Sequence, residues 1–172
     1  MITSETLKNA YSEEAAMAIY QNVKAENDFL GFAQRFMHHE DYRVARIALW
    51  SLTKANDEEL SALQMIYNEL IDLAMTTENS SVRRLSLNLV ERLKMNKDEI
   101  RTEFLDFCLE HMVDINEFPG TQTLCMKLAY RMCKSYPELM GEFRRMVDAM
   151  AIEYYKPAVK CLRTRILQGK MK

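Results

Sequence analysis

Apolar residues recur at steps of three and four positions along most of the chain, which is the period of an amphipathic α-helix. One such series runs from Leu60 through Leu63, Ile66 and Leu70 to Leu73. The pattern predicts helices near residues 12–24, 26–39, 42–54, 57–76, 80–94, 97–115, 119–134, 136–152 and 156–168. It therefore predicts an all-α fold.

A nine-residue pattern recurs at intervals of 38 or 39 residues, beginning at Val44, Val82, Thr121 and Val159. Two columns of mostly apolar residues keep the same offsets in each copy. Their members are Ile47, Leu85, Leu124 and Leu162 in the first column, and Ser51, Leu89, Leu128 and Ile166 in the second. Self-similarity at such a period is the signature of a repeat architecture.

Helix-start signals recur at a similar period. Capping boxes, in which a short polar side chain is followed three residues later by Glu, are predicted at Asn56–Glu59, Asn96–Glu99 and Ser135–Glu138. Pro119 and Pro157 fall where a new helix is predicted to begin, as prolines of the first turn do. The repeating unit is therefore predicted to be two antiparallel helices in 38–40 residues.

Glycine and proline are scarce, with four and three in 172 residues, against about twelve and nine at average usage. So few chain-breaking residues argue against an all-β or a Rossmann-type fold. The apolar fraction of 48% is too high for disorder. No apolar run approaches the roughly eighteen residues that span a membrane, and the N-terminus lacks the layout of a signal peptide. We therefore expect a cytoplasmic protein.

Tandem helix pairs of this length, whose second helix opens with Val-x-x-Leu or a similar sequence, resemble the HEAT and armadillo α-solenoids. The resemblance covers about residues 26–168. Repeats of the TPR type, at about 34 residues, fit less well. The resemblance implies a HEAT-like α-α superhelix of about four helix pairs with an extra N-terminal helix. It says little about chemistry, because such folds host many functions.

The predicted domain organisation is a single α-solenoid domain over residues 1–172. Residues 1–40 are less regular than the rest and are predicted to form an N-terminal cap. The second helices of the repeats are predicted near residues 42–54, 80–94, 119–134 and 156–168.

The chain is also similar to small bacterial HEAT-like proteins, some of which carry the label adenylosuccinate lyase. The likeness lies in the turn Lys134–Leu139 and in the basic final helix, Lys156–Arg165. The lyase family is several times longer and has a Ser-rich mobile loop with a Met-Pro-Lys sequence that supplies its catalytic base. Because this chain contains no such loop, the lyase activity is not expected.

Charge is sorted between the two kinds of helix. The second-helix segments, residues 41–56, 79–97, 119–135 and 156–172, contain seventeen Lys and Arg against two Asp and Glu. The rest of the chain contains six against twenty-three. Second helices line the concave surface of HEAT-like stacks, so the resemblance implies a basic groove backed by an acidic surface. Such a groove would attract a polyanion or an acidic peptide.

The groove candidates occupy three columns that lie between the apolar ones. The sole tryptophan is among them, at a position where the other repeats have polar residues, and is a candidate aromatic anchor. The candidates are Arg46, Trp50, Lys54, Arg84, Arg92, Lys127, Arg131 and Arg165.

A structural explanation of the same charges is also open. Cations near helix C-termini and acids in first turns, such as Asp57 and Asp98, complement the helix dipole. Acids on one helix can also pair with bases on its neighbour. Trp50, for its part, can simply pack against the N-terminal cap.

No catalytic or metal-binding motif is visible. Cys108, Cys125, Cys133 and Cys161 lie beside apolar neighbours without a C-x-x-C pair, so we expect four reduced, buried thiols. A His38-His39 doublet with no third ligand at metal spacing is a poor zinc signal. We predict no cofactor, no metal and no catalysis.

The leading hypothesis is a non-enzymatic interaction module that binds a protein or acidic peptide on a basic concave face. The alternative is a nucleic-acid-binding protein related to the HEAT-like DNA alkylation-repair glycosylases. Those enzymes place basic and aromatic side chains around a catalytic acid, and Trp50, Tyr130 and Glu91 lie in adjacent columns here. The presence of only one Trp, however, argues against glycosylase activity. A membrane or small-molecule partner is not expected.

Overall fold

The computed structural model describes residues 1–171. Within that range the regular secondary structure is helical and no strand is present, which confirms the prediction of an all-α fold. The α-helices are α1 (Ser4–Lys8), α2 (Glu13–Glu26), α3 (Phe29–Phe36), α4 (Tyr42–Leu52), α5 (Asp57–Leu60), α6 (Tyr67–Thr76), α7 (Ser80–Arg92), α8 (Thr102–Val113), α9 (Pro119–Cys133), α10 (Pro137–Asp148) and α11 (Pro157–Leu167). Short 3₁₀ segments cover Ser61–Ile66 and Ile152–Tyr154.

The chain forms two compact units, Met1–Lys94 and Met95–Lys172. The first contains α1 to α7 and the second contains α8 to α11. The single domain over residues 1–172 stays a prediction.

In the first unit, α4 lies at the centre and packs against α1, α2, α3 and α7. Helix α6 packs against α7 and is joined to it by only three residues, so the two are antiparallel. The Asn79 side chain begins α7 by accepting hydrogen bonds from the backbone N–H groups of Ser81 and Val82, both at 3.0 Å. Helix α4 therefore presents one side to α7 and others to the N-terminal helices.

In the second unit, α9 packs against α8, α10 and α11. Pro119 and Pro157 occupy the first turns of α9 and α11, as predicted. Their fixed φ suits the first turn, where no intrahelical partner for the missing N–H is lost. The second helices α9 and α11 thus begin at the positions that the repeat pattern indicates.

The columns of the repeat are the buried faces of α4, α7, α9 and α11. Val44, Val82, Thr121 and Val159 are each at most 3% exposed, and both predicted columns are buried throughout. Ser51 fits an apolar column because its hydroxyl donates to the Ile47 carbonyl at 2.7 Å. The repeat register is therefore confirmed.

Only one of the three predicted capping boxes forms. The Asn56 side chain accepts from the Glu59 N–H at 2.8 Å, and the Glu59 carboxylate accepts from the Asn56 N–H at 2.9 Å. The other two predictions are wrong. The Asn96 side chain accepts from the Asp98 N–H in a local turn instead, and α8 begins six residues later.

At the third predicted box, the residue that caps α10 is Tyr136 and not Ser135. Pro137 accounts for the shift, because proline is suited to the first helical position and the cap must precede it.

Helix bounds differ from prediction in the N-terminal half. Residues 4–8 form α1, which the pattern did not predict and which Thr3 caps. The predicted helix over 57–76 is divided into α5, a 3₁₀ segment and α6. The predicted helices over 12–24 and 26–39 are α2 and the shorter α3, separated by Asn27 with a φ of 49°.

Candidate functional site

In the first unit, the candidate cations lie on two helices that pack against each other. Arg46, Trp50 and Lys54 follow one another at four-residue steps along and just past α4, and Arg84 and Arg92 stand eight residues apart on α7. The two series occupy equivalent columns of two helices that pack against each other, and we call these five residues the unit 1 stripe. The stripe divides into two halves that differ in their partners.

Arg92 is bound to the C-terminal end of α4. Its guanidinium donates to the backbone carbonyls of Thr53 at 2.9 Å and Ala55 at 2.6 Å, and to the Asp57 carboxylate at 3.0 Å. Carbonyls at a helix C-terminus have no intrahelical partner and carry the negative end of the helix dipole. Arg92 therefore serves the fold.

Lys54, at the end of the stripe, also has a partner within the chain. Its ammonium forms an ion pair with Glu13 in the first turn of α2. The same nitrogen lies 5.7 Å from the centroid of the Trp50 ring, within cation–π range. Trp50 is half-buried, so its ring has contact with this ion pair and still presents some surface to solvent.

Arg46 stands in contrast to these two cations. Its side chain is half-buried, and its Nε is inaccessible to solvent yet has no hydrogen-bond partner within residues 1–171. Buried polar groups nearly always have partners, and leaving a charged donor without one is costly. Because Nε is closed to solvent, an external acceptor would reach this guanidinium through its terminal nitrogens, which also form no hydrogen bond within residues 1–171.

Arg84, the equivalent residue on α7, is exposed and forms no hydrogen bond or ion pair with any residue of the described chain. Asn88, one turn further along α7, is half-buried. The N-terminal half of the unit 1 stripe therefore offers two guanidinium groups, Trp50 and an amide to an external group.

The second unit has its own pair of cations. Lys127 on α9 is half-buried, Arg165 on α11 is exposed, and α9 packs against α11. Neither side chain has a hydrogen bond or ion pair in the part of the chain that the structure describes. Arg131 is half-buried and already has a partner.

Two arginines that the sequence did not single out cap first helices. Arg83 donates to the carbonyls of Ala74 at 3.3 Å and Thr77 at 2.6 Å, at the end of α6. Arg163 donates to the carbonyls of Val147 and Asp148, both at 2.9 Å, at the end of α10. Part of the basic excess of the second helices therefore stabilises the helix ends beside them. The last turn of α6 contains no basic residue and that of α10 contains only Arg145. An Arg on the second helix, next to a first helix that ends with so little positive charge, is the sequence signal that could have identified Arg83 and Arg163.

The acids at helix starts are paired as well. The Asp41 carboxylate accepts from the Arg43 guanidinium at 3.0 and 2.8 Å and from the Arg43 N–H at 3.0 Å, which lowers its pKa from 3.8 to about 2. The Asn56 N–H, followed by the Tyr20 hydroxyl and the Lys24 ammonium, lowers the pKa of Glu59. These carboxylates cap helices and are not arranged around a reacting group.

The cysteines are mostly buried and poorly ionised. Burial, and then the neighbouring Cys125, raise the pKa of Cys108, while burial raises the pKa of Cys133 to about 11. Cys161, in contrast, is exposed, so the prediction that it is buried is wrong. It lies in the same column of the repeat as Arg46 and Arg84, between the apolar columns. The prediction of burial followed the apolar neighbours of Cys161 in the sequence and not this column.

Histidines contribute to local structure. His111 Nδ1 lies 2.7 Å from the Glu117 carboxylate, and His39 Nδ1 accepts from the Asp41 N–H at 3.0 Å. Within residues 1–171, no three His, Cys, Asp or Glu side chains converge as metal ligands would. None of the helices described there has the length and apolar character to cross a bilayer.

Antiparallel helix pairs whose second helices share buried columns define each unit as α-solenoid in type. The family model for the HEAT repeat domain matches residues 3–170, and the chain belongs to that family. The resemblance drawn from the repeat is thus confirmed. No curated protein and no solved structure matches the chain. HEAT repeats generally mediate protein interactions.

Proposed function

We propose that the chain is a non-enzymatic interaction module that binds an acidic segment of a protein partner. The proposed site is the N-terminal half of the unit 1 stripe, formed by Arg46, Trp50 and Arg84. In the second unit, Lys127 and Arg165 are the candidates for a surface of the same kind. The observation that supports the proposal best is the exposed Arg84 guanidinium, which has no hydrogen bond or ion pair within residues 1–171.

The structural explanation of the charges accounts for only part of the stripe. It accounts for Arg92 and Lys54, which are bound to carbonyls and carboxylates at helix ends. It gives no role to Arg46 and Arg84, which stand beyond the first turn of their helices and away from the C-terminal ends. A carboxylate can accept from one guanidinium through two parallel hydrogen bonds, so a Glu or Asp side chain fits both positions. Trp50 adds apolar contact area beside them.

Charge favours a protein over a nucleic acid as the partner. The chain has a formal net charge of −2, with 25 Asp and Glu against 23 Lys and Arg. A nucleic acid requires many phosphate contacts along its length, because most of its affinity comes from neutralised phosphates. Two available cations in the unit 1 stripe suit a short acidic segment better.

Binding of labelled polyglutamate, measured by fluorescence anisotropy at increasing salt, tests the proposal. We expect binding that weakens as salt rises, and about a tenfold loss of affinity in the double variant Arg46→Gln/Arg84→Gln. Arg145→Gln is the matched control, because Arg145 is exposed and lies on α10, the first helix of its pair. Its affinity should equal that of the wild type.

Three results would overturn the proposal. One is no measurable binding of polyglutamate, and another is an equal loss of affinity in the control variant. The third is tighter binding of single-stranded DNA than of polyglutamate at the same salt, which would favour the nucleic-acid alternative.

A further inference from the structure

The second unit exposes large apolar side chains on two neighbouring loops. Ile115 and Phe118, between α8 and α9, are 54% and 60% exposed, and Ile152 and Tyr154, between α10 and α11, are 45% and 64% exposed. We call these four residues the turn edge. Exposed apolar residues scattered singly are ordinary, whereas a cluster of them marks an interaction site.

A partly buried hydrogen bond joins the second loop to the end of α8, where the first loop begins. Tyr155 is 9% exposed, and its hydroxyl donates to the Val113 carbonyl at 2.6 Å. Tyr154 precedes the donor in sequence, and Ile115 follows the acceptor by two residues. The hydrogen bond therefore brings the loop that contains Tyr154 close to the start of the loop that contains Ile115.

The α8–α9 loop is fixed by its own polar contacts. The Gln122 amide donates to the Asp114 carbonyl at 2.7 Å, and the Asp114 carboxylate accepts from the Asn116 N–H at 2.9 Å. The Glu117 carboxylate accepts from the Phe118 N–H at 3.0 Å and lies 2.7 Å from His111 Nδ1. A surface ordered before binding loses less conformational entropy when a partner docks.

Carboxylates lie in the same two loops as the apolar side chains. Asp114 and Glu153 are exposed within the two loops, and the half-buried Glu117 lies between Ile115 and Phe118. Asp114 is close enough to act, after burial, as the second cause that raises the pKa of Tyr155. The charged groups of opposite sign in these loops and at their ends are Lys156 and, when protonated, His111. The two loops therefore carry more negative than positive charge.

We propose that the turn edge docks a basic amphipathic segment of a partner protein. The apolar face of that segment would cover Phe118 and Tyr154, and its Lys or Arg residues would meet Asp114 and Glu153. Charge complementarity of this kind favours this partner over an acidic one. The proposal is independent of the unit 1 stripe, because it involves other residues and the opposite charge.

An amphipathic helical peptide of leucine and lysine is a suitable probe, with a scrambled peptide of the same composition as its control. We expect the amphipathic peptide to bind the wild type with an affinity that falls as salt rises. Ile152→Ser/Tyr154→Ser should weaken it about tenfold, and Asp114→Asn/Glu153→Gln should flatten the salt dependence. Tyr11→Ser, at a position 79% exposed in the first unit, is the matched surface control.

Because Phe118 caps α9, the primary variant avoids it, and the urea midpoint of each variant verifies that the fold is retained. Amide chemical-shift changes on peptide addition should cluster in residues 113–118 and 151–156. The proposal is overturned by equal binding of the scrambled peptide, by an equal loss in Tyr11→Ser, or by no binding. It is also overturned if Ile152→Ser/Tyr154→Ser converts a self-associated wild type into a monomer in sedimentation, because the occupant would then be a second copy.

Discussion

At the scale of single residues, the polar side chains buried on the second helices differ in whether their polar atom has a partner. The hydroxyls of Ser51, in the second column, and of Ser86, beside the first column on α7, each donate to the carbonyl four residues earlier at 2.7 Å. Thr121 shares its column with three valines, and its buried hydroxyl has no hydrogen-bond partner within residues 1–171. The column position of Thr121 was predictable from its neighbours in the repeat, but the missing partner was not.

Replacing Thr121 by Val should therefore stabilise the protein. The substitution keeps the branched shape and removes a buried hydroxyl whose desolvation is uncompensated, so the free energy of unfolding should rise by about 1 kcal/mol. Urea unfolding measures it. The reciprocal variant Val159→Thr, in the same column, should lower the free energy of unfolding. A loss of stability in Thr121→Val would show that the hydroxyl has a partner in solution.

Thiol reactivity should separate Cys161 from the other cysteines. In the folded protein, Cys161 should react rapidly with a thiol reagent because it is exposed, whereas Cys108, Cys125 and Cys133 are buried. Burial also raises the pKa of Cys108 and Cys133, so little of the reactive thiolate is present at neutral pH. Mass spectrometry should find one label in native protein and four after unfolding without reductant. Fast labelling that persists in Cys161→Ser would contradict this assignment.

At the scale of helices, the first residue of a helix was predictable where a single capping signal is present. It was not predictable where a second local signal competes with the cap. Asn56 has only Glu59 to pair with and forms the predicted box. At Asn96 a local turn competes with the cap, and at Ser135 the following Pro137 moves the helix start by one residue. Helix ends were harder still, because the groups that cap them, such as Arg83 and Arg163, belong to the next helix along.

The cap of α4 should make stability depend on pH in a defined range. Arg43 lowers the pKa of Asp41 from 3.8 to about 2, so the folded state holds this carboxylate ionised more strongly than the unfolded state does. The resulting stabilisation is present above pH 4 or so and is lost as pH falls toward about 2. Asp41→Asn should be less stable than the wild type at neutral pH and should lose less stability over that range.

Arg43→Met is the control for the same cap, because it removes the guanidinium and leaves the carboxylate. The same flattening of the acid limb is expected in both variants, measured as urea midpoints at several pH values. An acid limb in Asp41→Asn as steep as that of the wild type would contradict the role of this pair.

At the scale of the whole molecule, the fold could be predicted from the sequence. Which cations stabilise helix ends and which have no partner could not. The repeat period, the buried columns and the sorting of charge by helix were all predictable, because each depends on spacing along the chain. Whether a given cation faces a helix end or solvent depends on the helix packed beside it. Spacing alone therefore could not separate Arg92, bound to the end of α4, from Arg84, which has no partner in residues 1–171.

The free energy of unfolding of Arg84→Gln and Arg92→Gln in urea tests most directly whether Arg92 stabilises the fold and Arg84 does not. Arg92→Gln should lose about 1.5–3 kcal/mol, because charged hydrogen bonds to the carbonyls of Thr53 and Ala55 disappear. Arg84→Gln should stay within about 0.5 kcal/mol of the wild type, as surface substitutions without partners do. Equal losses in the two variants, or a larger loss in Arg84→Gln, would contradict the account, because Arg84 would then serve the fold and would not be available to a partner.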